Sequence, residues 1–108
     1  MQFMMFVCSD AEPDPKPEAE GEIHTWLADA GDKRLIGDRL RPPADAKTVR
    51  MRGGRRMVTD GPFAETKETI LGFDILDCAS MDEAIEIAAK HPMARAGRIE
   101  LRPFWPID

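Results

Sequence analysis

Hydrophobic and polar positions along the chain switch between two periods. Residues 3–8 (FMMFVC) form an unbroken apolar run ended by Ser9 and Asp10, which predicts a strand buried on both faces and central in its sheet. Residues 10–17 hold three prolines and several acids and predict an exposed loop, placed to border a pocket. From about Glu18 the apolar positions Ala19, Ile23, Trp26, Leu27 and Ala30 recur three and four apart, which predicts a helix ended by Gly31. Residues 34–40 alternate weakly and run into Pro42 and Pro43, a second strand with a hard stop. Residues 48–52 and 55–59 flank Gly53 and Gly54, the pair best suited to a two-residue hairpin turn. In that register Val49 faces Val58 and Arg52 faces Arg55 beside an exposed tip.

After a turn at Asp60, Gly61 and Pro62, residues 69–78 predict a long strand with Leu71, Phe73 and Ile75 on one face. Ser80 and Glu83 have capping-box spacing, and Met81, Ala84, Ile85 and Ala88 continue as an amphipathic stripe. Pro92 requires this second helix to end near His91. Residues 98–102 alternate around Ile99 and Leu101, and Pro103 and Pro106 mark the exit from the sheet. The order predicts an α+β fold, a mainly antiparallel sheet with two helices on one face. The other face, rich in Met and Phe, is left open and predicts that two sheets pack together in a homodimer.

Composition narrows the picture. A length of 108 residues fits one domain, spanning 1–108, and 43% hydrophobic with 32% charged residues is the balance of a soluble globular protein. No apolar run approaches the roughly 18 residues of a membrane span, and the start has no signal-peptide layout, so a cytoplasmic location without membrane association is expected. Cys8 and Cys78 lie in apolar stretches without CxxC spacing and are expected as buried free thiols. A net charge of -5 makes nucleic acid an unlikely partner. The basic residues are nevertheless gathered between Lys33 and Arg56, either as the solvated surface of an exposed hairpin or as a local contact stripe.

The segment VTDGPFAETKE, residues 58–68, resembles the DGPF proteins of the YCII-related family. The likeness extends over AGDKRLIGDRLRP, TVRMRGGRRMVTDGPFAETKE, ILGFDILDCASMDEAIEIAAKHP and the terminal GRIELRPF, in order and spacing, and so covers nearly the whole chain. It implies a ferredoxin-like fold pairing as a dimeric α+β barrel. It also implies a histidine on the first helix paired with an aspartate just before the proline that follows the second helix, the family's proposed catalytic dyad. His24 matches the first position, but the second is His91 in KHP, so the pair is not reproduced as written. Related dimeric barrels act on small molecules, and DGPF genes often neighbour or fuse with alternative sigma-factor genes.

The candidate chemistry rests on few residues. His24 lies about 60° beyond Leu27 at the margin of the apolar stripe, which points it to a cleft or its rim, or makes it an amphipathic boundary residue. A neutral imidazole there suits proton transfer near pH 7. His91, at a helix end, is explained equally by the favourable field of exposed carbonyls. Asp60 is the substitute carboxylate that would orient a histidine, or else a turn residue that accepts nearby backbone N–H groups. Trp26, Phe63, Glu65 and Lys67 are the candidate ligand contacts, residues that core packing and surface solvation also account for. No metal-ligand spacing and no nucleotide-loop motif occurs, so neither metal nor cofactor is expected. Two functions follow from the resemblance and these residues. One is a small-molecule-binding protein or cofactor-free isomerase or lyase using His24, His91 and Asp60; the alternative is a non-catalytic ligand-sensing or regulatory module beside a sigma factor.

Overall fold

A computed structural model describes residues 1–15, 22–61 and 68–107. Its elements are β1 (Gln2–Cys8), α1 (Glu22–Ala30), β2 (Arg34–Arg39), β3 (Lys47–Arg52), β4 (Arg55–Asp60), β5 (Ile70–Asp77), α2 (Met81–Ala89), α3 (Met93–Ala96) and β6 (Arg98–Pro103). Four strands form an antiparallel sheet in the order β2-β5-β1-β6, while β3 and β4 pair with each other in a separate two-stranded ribbon. With the ribbon set aside, the chain runs β-α-β-β-α-β with its first and third core strands side by side at the centre, the ferredoxin-like α+β topology.

The pleat sorts the side chains. Phe3, Met5 and Val7 point from β1 to the helices, where they meet Trp26, Ala30, Ala84 and Ala88 in the core. Phe3 pairs with Leu76, Met5 with Asp74 and Val7 with Gly72, so the helix-facing set of β5 is Gly72, Asp74 and Leu76. The apolar row Leu71, Phe73 and Ile75 therefore belongs to the other face, with Met4 and Phe6 of β1. β1 is central as expected, but only one of its faces is fully covered; Met4 and Phe6 are half-buried.

A charged group sits within the helix-facing layer. Asp74 is 6% exposed, and its Oδ1 accepts from Arg34 Nε at 2.6 Å, while Arg34 Nη2 donates to the Gly37 carbonyl at 2.8 Å. Burial pushes the Asp74 carboxyl above its ordinary range, and Arg34 opposes that shift. Gly37 makes room for the pair, since a Cβ there would lie 2.0 Å from Asp74 Oδ1. Cys8 and Cys78 are free and buried, and burial raises both thiols.

The hairpin turns on Gly53 (φ 54°) and Gly54 (φ 76°), with Val49 opposite Val58 and Arg52 opposite Arg55 as the sequence predicts. At the start of α2, Ser80 Oγ accepts from Glu83 N at 3.2 Å, and Glu83 Oε1 accepts from Ala79 N at 3.1 Å. Glu83 also takes Lys33 Nζ at 2.9 Å, which holds its carboxyl below the usual range and raises the lysine. The predicted second helix stops at Ala89, but α3, a single turn after Pro92, has no counterpart in the sequence reading. The expected start of the first helix, at Glu18, lies outside the described residues. No helix among the described residues is long and apolar enough to cross a membrane.

Candidate functional site between the helices

α1 presents Glu22, Thr25, Trp26 and Asp29 along one flank, the i, i+3, i+4, i+7 spacing of a single helix face. Opposite them lie Ala89, Lys90 and His91 at the end of α2, and Arg95 of α3. Between these walls is an open cleft of about 290 Å³. Arg95 pairs with Glu22 across it. The loop after β1 is fastened nearby, where Asp14 N donates to the Arg95 carbonyl at 2.8 Å.

Trp26 and His91 form the ordered wall of the cleft. Trp26 is 2% exposed, and its Nε1–H donates to the Ile87 carbonyl at 2.8 Å, tying α1 to α2. The two rings meet edge to face, with centroids 4.6 Å apart and planes at 67°. His91 is 6% exposed, and its Nδ1 accepts the Met93 N–H at 2.9 Å. A backbone N–H can be accepted there only while Nδ1 is unprotonated, so this bond holds the neutral ring with its proton on Nε2. The imidazole thereby caps the first turn of α3. The helix-end imidazolium considered from the sequence is replaced by a buried acceptor.

The other sequence candidates lie elsewhere. His24 is exposed, and at about 200° around α1 from Trp26 it sits on the flank away from this cleft. Asp60 ends β4 on the ribbon, its side chain 83% exposed and paired with Lys47, its register partner. The adjoining turn is held by backbone and hydroxyl groups: Gly61 N donates to the Ala46 carbonyl, and Thr48 Oγ1 donates to the Gly61 carbonyl. Among the described residues no hydrogen bond or ion pair joins Asp60 to His24. Phe63, Glu65 and Lys67 fall outside the described residues. The candidates thus divide between His91 with Trp26 in the cleft, His24 on the far flank of α1, and Asp60 on the ribbon.

Glu22, Thr25, Asp29, Lys90 and Arg95 are the cleft residues that the sequence reading missed. The helical spacing of the first three was a usable signal, but nothing local announced that α3 would bring Arg95 against Glu22. A second hollow, of about 280 Å³, opens on the uncovered sheet face between Phe6, Cys8, Ile70 and the β6 side chains Arg98, Glu100 and Arg102. Arg98 is paired there with Glu68. No group of three His, Cys, Asp or Glu side chains able to hold a metal ion occurs among the described residues.

Comparison with known proteins adds a relative and a family. An uncharacterized protein of Rhizobium meliloti (strain 1021) is 49% identical over 68 residues, which is 61% of this chain and 55% of that protein. The matched part is thus little more than half of that relative's length. The model of the YCII-related domain matches residues 4–108, nearly the whole chain, and on that match the chain belongs to the YCII-related family.

Proposed function

We propose that the protein is a cytosolic, homodimeric small-molecule-binding member of the YCII-related family, with its recognition site in the cleft between α1 and the α2–α3 junction. The observation that carries this reading is the setting of His91, a buried ring fixed against Trp26 beside Glu22, Asp29, Lys90 and Arg95. An aromatic wall surrounded by charges of both signs suits a small planar molecule, aromatic or lactone-like, bearing a carboxylate or hydroxyl. Binding is favoured over proton transfer because a general base needs an available lone pair. Nδ1 of His91 is taken by the Met93 N–H, and the Asp60 carboxylate that would orient a histidine is engaged by Lys47. Cofactor-free isomerase or lyase chemistry would need His24 to find its partner in a second subunit.

Dimerisation is supported by the second sheet face, where Met4, Phe6, Phe73 and Ile75 stay half-buried with no helix of the described residues above them. The chain exposes 8253 Å², against about 6,000 Å² for a compact monomer of its mass. Light scattering at micromolar concentration is expected to give twice the 12.1 kDa of one chain, and a stable monomer would contradict the dimer.

The site is tested by ¹H–¹⁵N spectroscopy with benzoate and γ-butyrolactone as probes at millimolar concentration. The Trp26 indole N–H and the Met93 amide are expected to shift together, while the indole of Trp105, which is 94% exposed, stays in place. Shifts confined to the open sheet face, or none with either probe, would overturn the assignment.

A further inference from the structure

The β3–β4 ribbon is built inside out. In β3 the polar residues Thr48 and Arg50 are half-buried, whereas Val49 is 61% and Met51 57% exposed. Val58, opposite Val49 and on the same face, is 52% exposed, and every residue of β4 is exposed. A half-covered antiparallel pair normally turns its apolar face inward. A lone two-stranded hairpin is at best marginally stable in water, and among the described residues this one pairs with no other strand. The ribbon therefore presents an exposed apolar patch of Val49, Met51 and Val58, flanked on the same face by Arg56 and the Lys47–Asp60 pair.

Shape and charge point to the occupant. The radius of gyration is 16.0 Å, with extents of 47 × 40 × 20 Å, against about 13 Å for a compact chain of this length. The surplus surface, about 2,200 Å² over a compact monomer, also exceeds the roughly 800 Å² per partner that a standard interface covers. Lys47, Arg50, Arg52, Arg55 and Arg56 against Asp60 give the ribbon a net charge of +4, which leaves −9 on the rest of a chain whose total is −5. Ribbon and body are thus complementary, so one copy attracts the arm of another.

We propose that the β3–β4 ribbon is an exchanged arm, whose outward face of Val49, Met51 and Val58 packs on the body of a second copy of this chain while the second copy's arm returns the contact about a two-fold axis. The inference rests on the homodimer proposed above and adds to it a second, separate contact. Self-complementary exchange of this kind closes at two copies and covers both apolar ribbons at once.

The test uses a nitroxide spin label attached at Met51→Cys. Cys8 and Cys78 are buried, so the label is directed to the arm. Mixed with ¹⁵N-labelled, unlabelled-spin wild-type chain, the arm is expected to broaden body amides of the other copy. The double substitution Val49→Lys, Val58→Lys is expected to abolish the broadening and weaken dimerisation at least about tenfold, with an unchanged ¹H–¹⁵N pattern in the four-stranded sheet as evidence that the body stays folded. A wild-type dimer with no intermolecular broadening, or a double variant that dimerises as tightly as wild type, would overturn the arm alone. A monomeric wild type would overturn the arm and the homodimer together. If Phe73→Asp leaves the dimer intact while the arm variant dissociates it, the sheet-face contact falls and the arm stands.

Discussion

Trp26 and His91 meet edge to face with ring centroids 4.6 Å apart, and each ring is held from behind by the backbone: Trp26 donates to the Ile87 carbonyl, and His91 accepts from the Met93 N–H. The contact joins α1, the end of α2 and α3 at a single point. Both rings are almost fully buried, Trp26 at 2% and His91 at 6% exposed. The ring contact thereby gives the surrounding cleft an aromatic wall.

His91→Ala is expected to destabilise the protein by about 2 kcal/mol, through loss of the ring contact and of the acceptor for the half-buried Met93 N–H. His91→Asp keeps an acceptor in reach of Met93 N and is expected to recover part of that loss. Urea unfolding midpoints of the three proteins check the order, with wild type highest and His91→Ala lowest.

Gly37→Ala is expected to destabilise by about 2 kcal/mol or more, because its Cβ would overlap the Asp74 carboxylate and the Phe73 carbonyl in a layer that cannot give way. Thermal unfolding of the variant, with Gly53→Ala at the open hairpin tip as a comparison for strain without overlap, measures it.

Stability should also carry a pH signature of Asp74. Burial raises the folded-state carboxyl above its unfolded value, so the folded chain holds this proton to higher pH than the unfolded chain does. The stability contributed by the protonated form is fully present below the unfolded pKa of about 3.9 and is lost as pH rises through the raised folded value. The difference in unfolding free energy between wild type and Asp74→Asn is therefore expected to move against wild type over that window and then level off. Denaturant titrations of both proteins between pH 4 and pH 8 give the slope; a difference that grows in favour of wild type with rising pH would contradict it.

Ser80→Ala removes the acceptor for the Glu83 N–H at the start of α2 and is expected to cost about 1 kcal/mol. Urea unfolding checks the value, and a loss below a few tenths would show that Glu83, held by Ala79 and Lys33, caps the helix without it.

The strands, the hairpin register and the cap of α2 were legible in the sequence because each is written locally, in alternation, in Gly53-Gly54 and in the Ser80 to Glu83 spacing. The two faces of β5 were legible as rows, but not which of them meets the helices. Leu71, Phe73 and Ile75 share one face as the alternation says, but it is Gly72, Asp74 and Leu76 that face the helices, where the charge of Asp74 is met by Arg34 from a strand 40 residues away in the chain. The cleft failed for the same reason. His24 and Asp60 carry suitable chemistry at suggestive places, but where they stand depends on the rotation of α1 and on a ribbon that leaves the main sheet. His91 was legible as unusual, and its bond to Met93 was not, since α3 is one turn long and its sequence, MARA, has no start signal of its own.

The most direct test of the account is the ¹⁵N spectrum of the histidine rings at neutral pH, recorded for wild type and Asp60→Asn. His91 is expected to show a protonated Nε2 and an unprotonated, hydrogen-bonded Nδ1, with the same shifts in both proteins, because its ring is fixed by Met93 and Trp26. A proton on Nδ1, or a His91 signal that moves when Asp60 is changed, would instead mark a coupled carboxylate–imidazole pair and contradict the assignment of this cleft to binding.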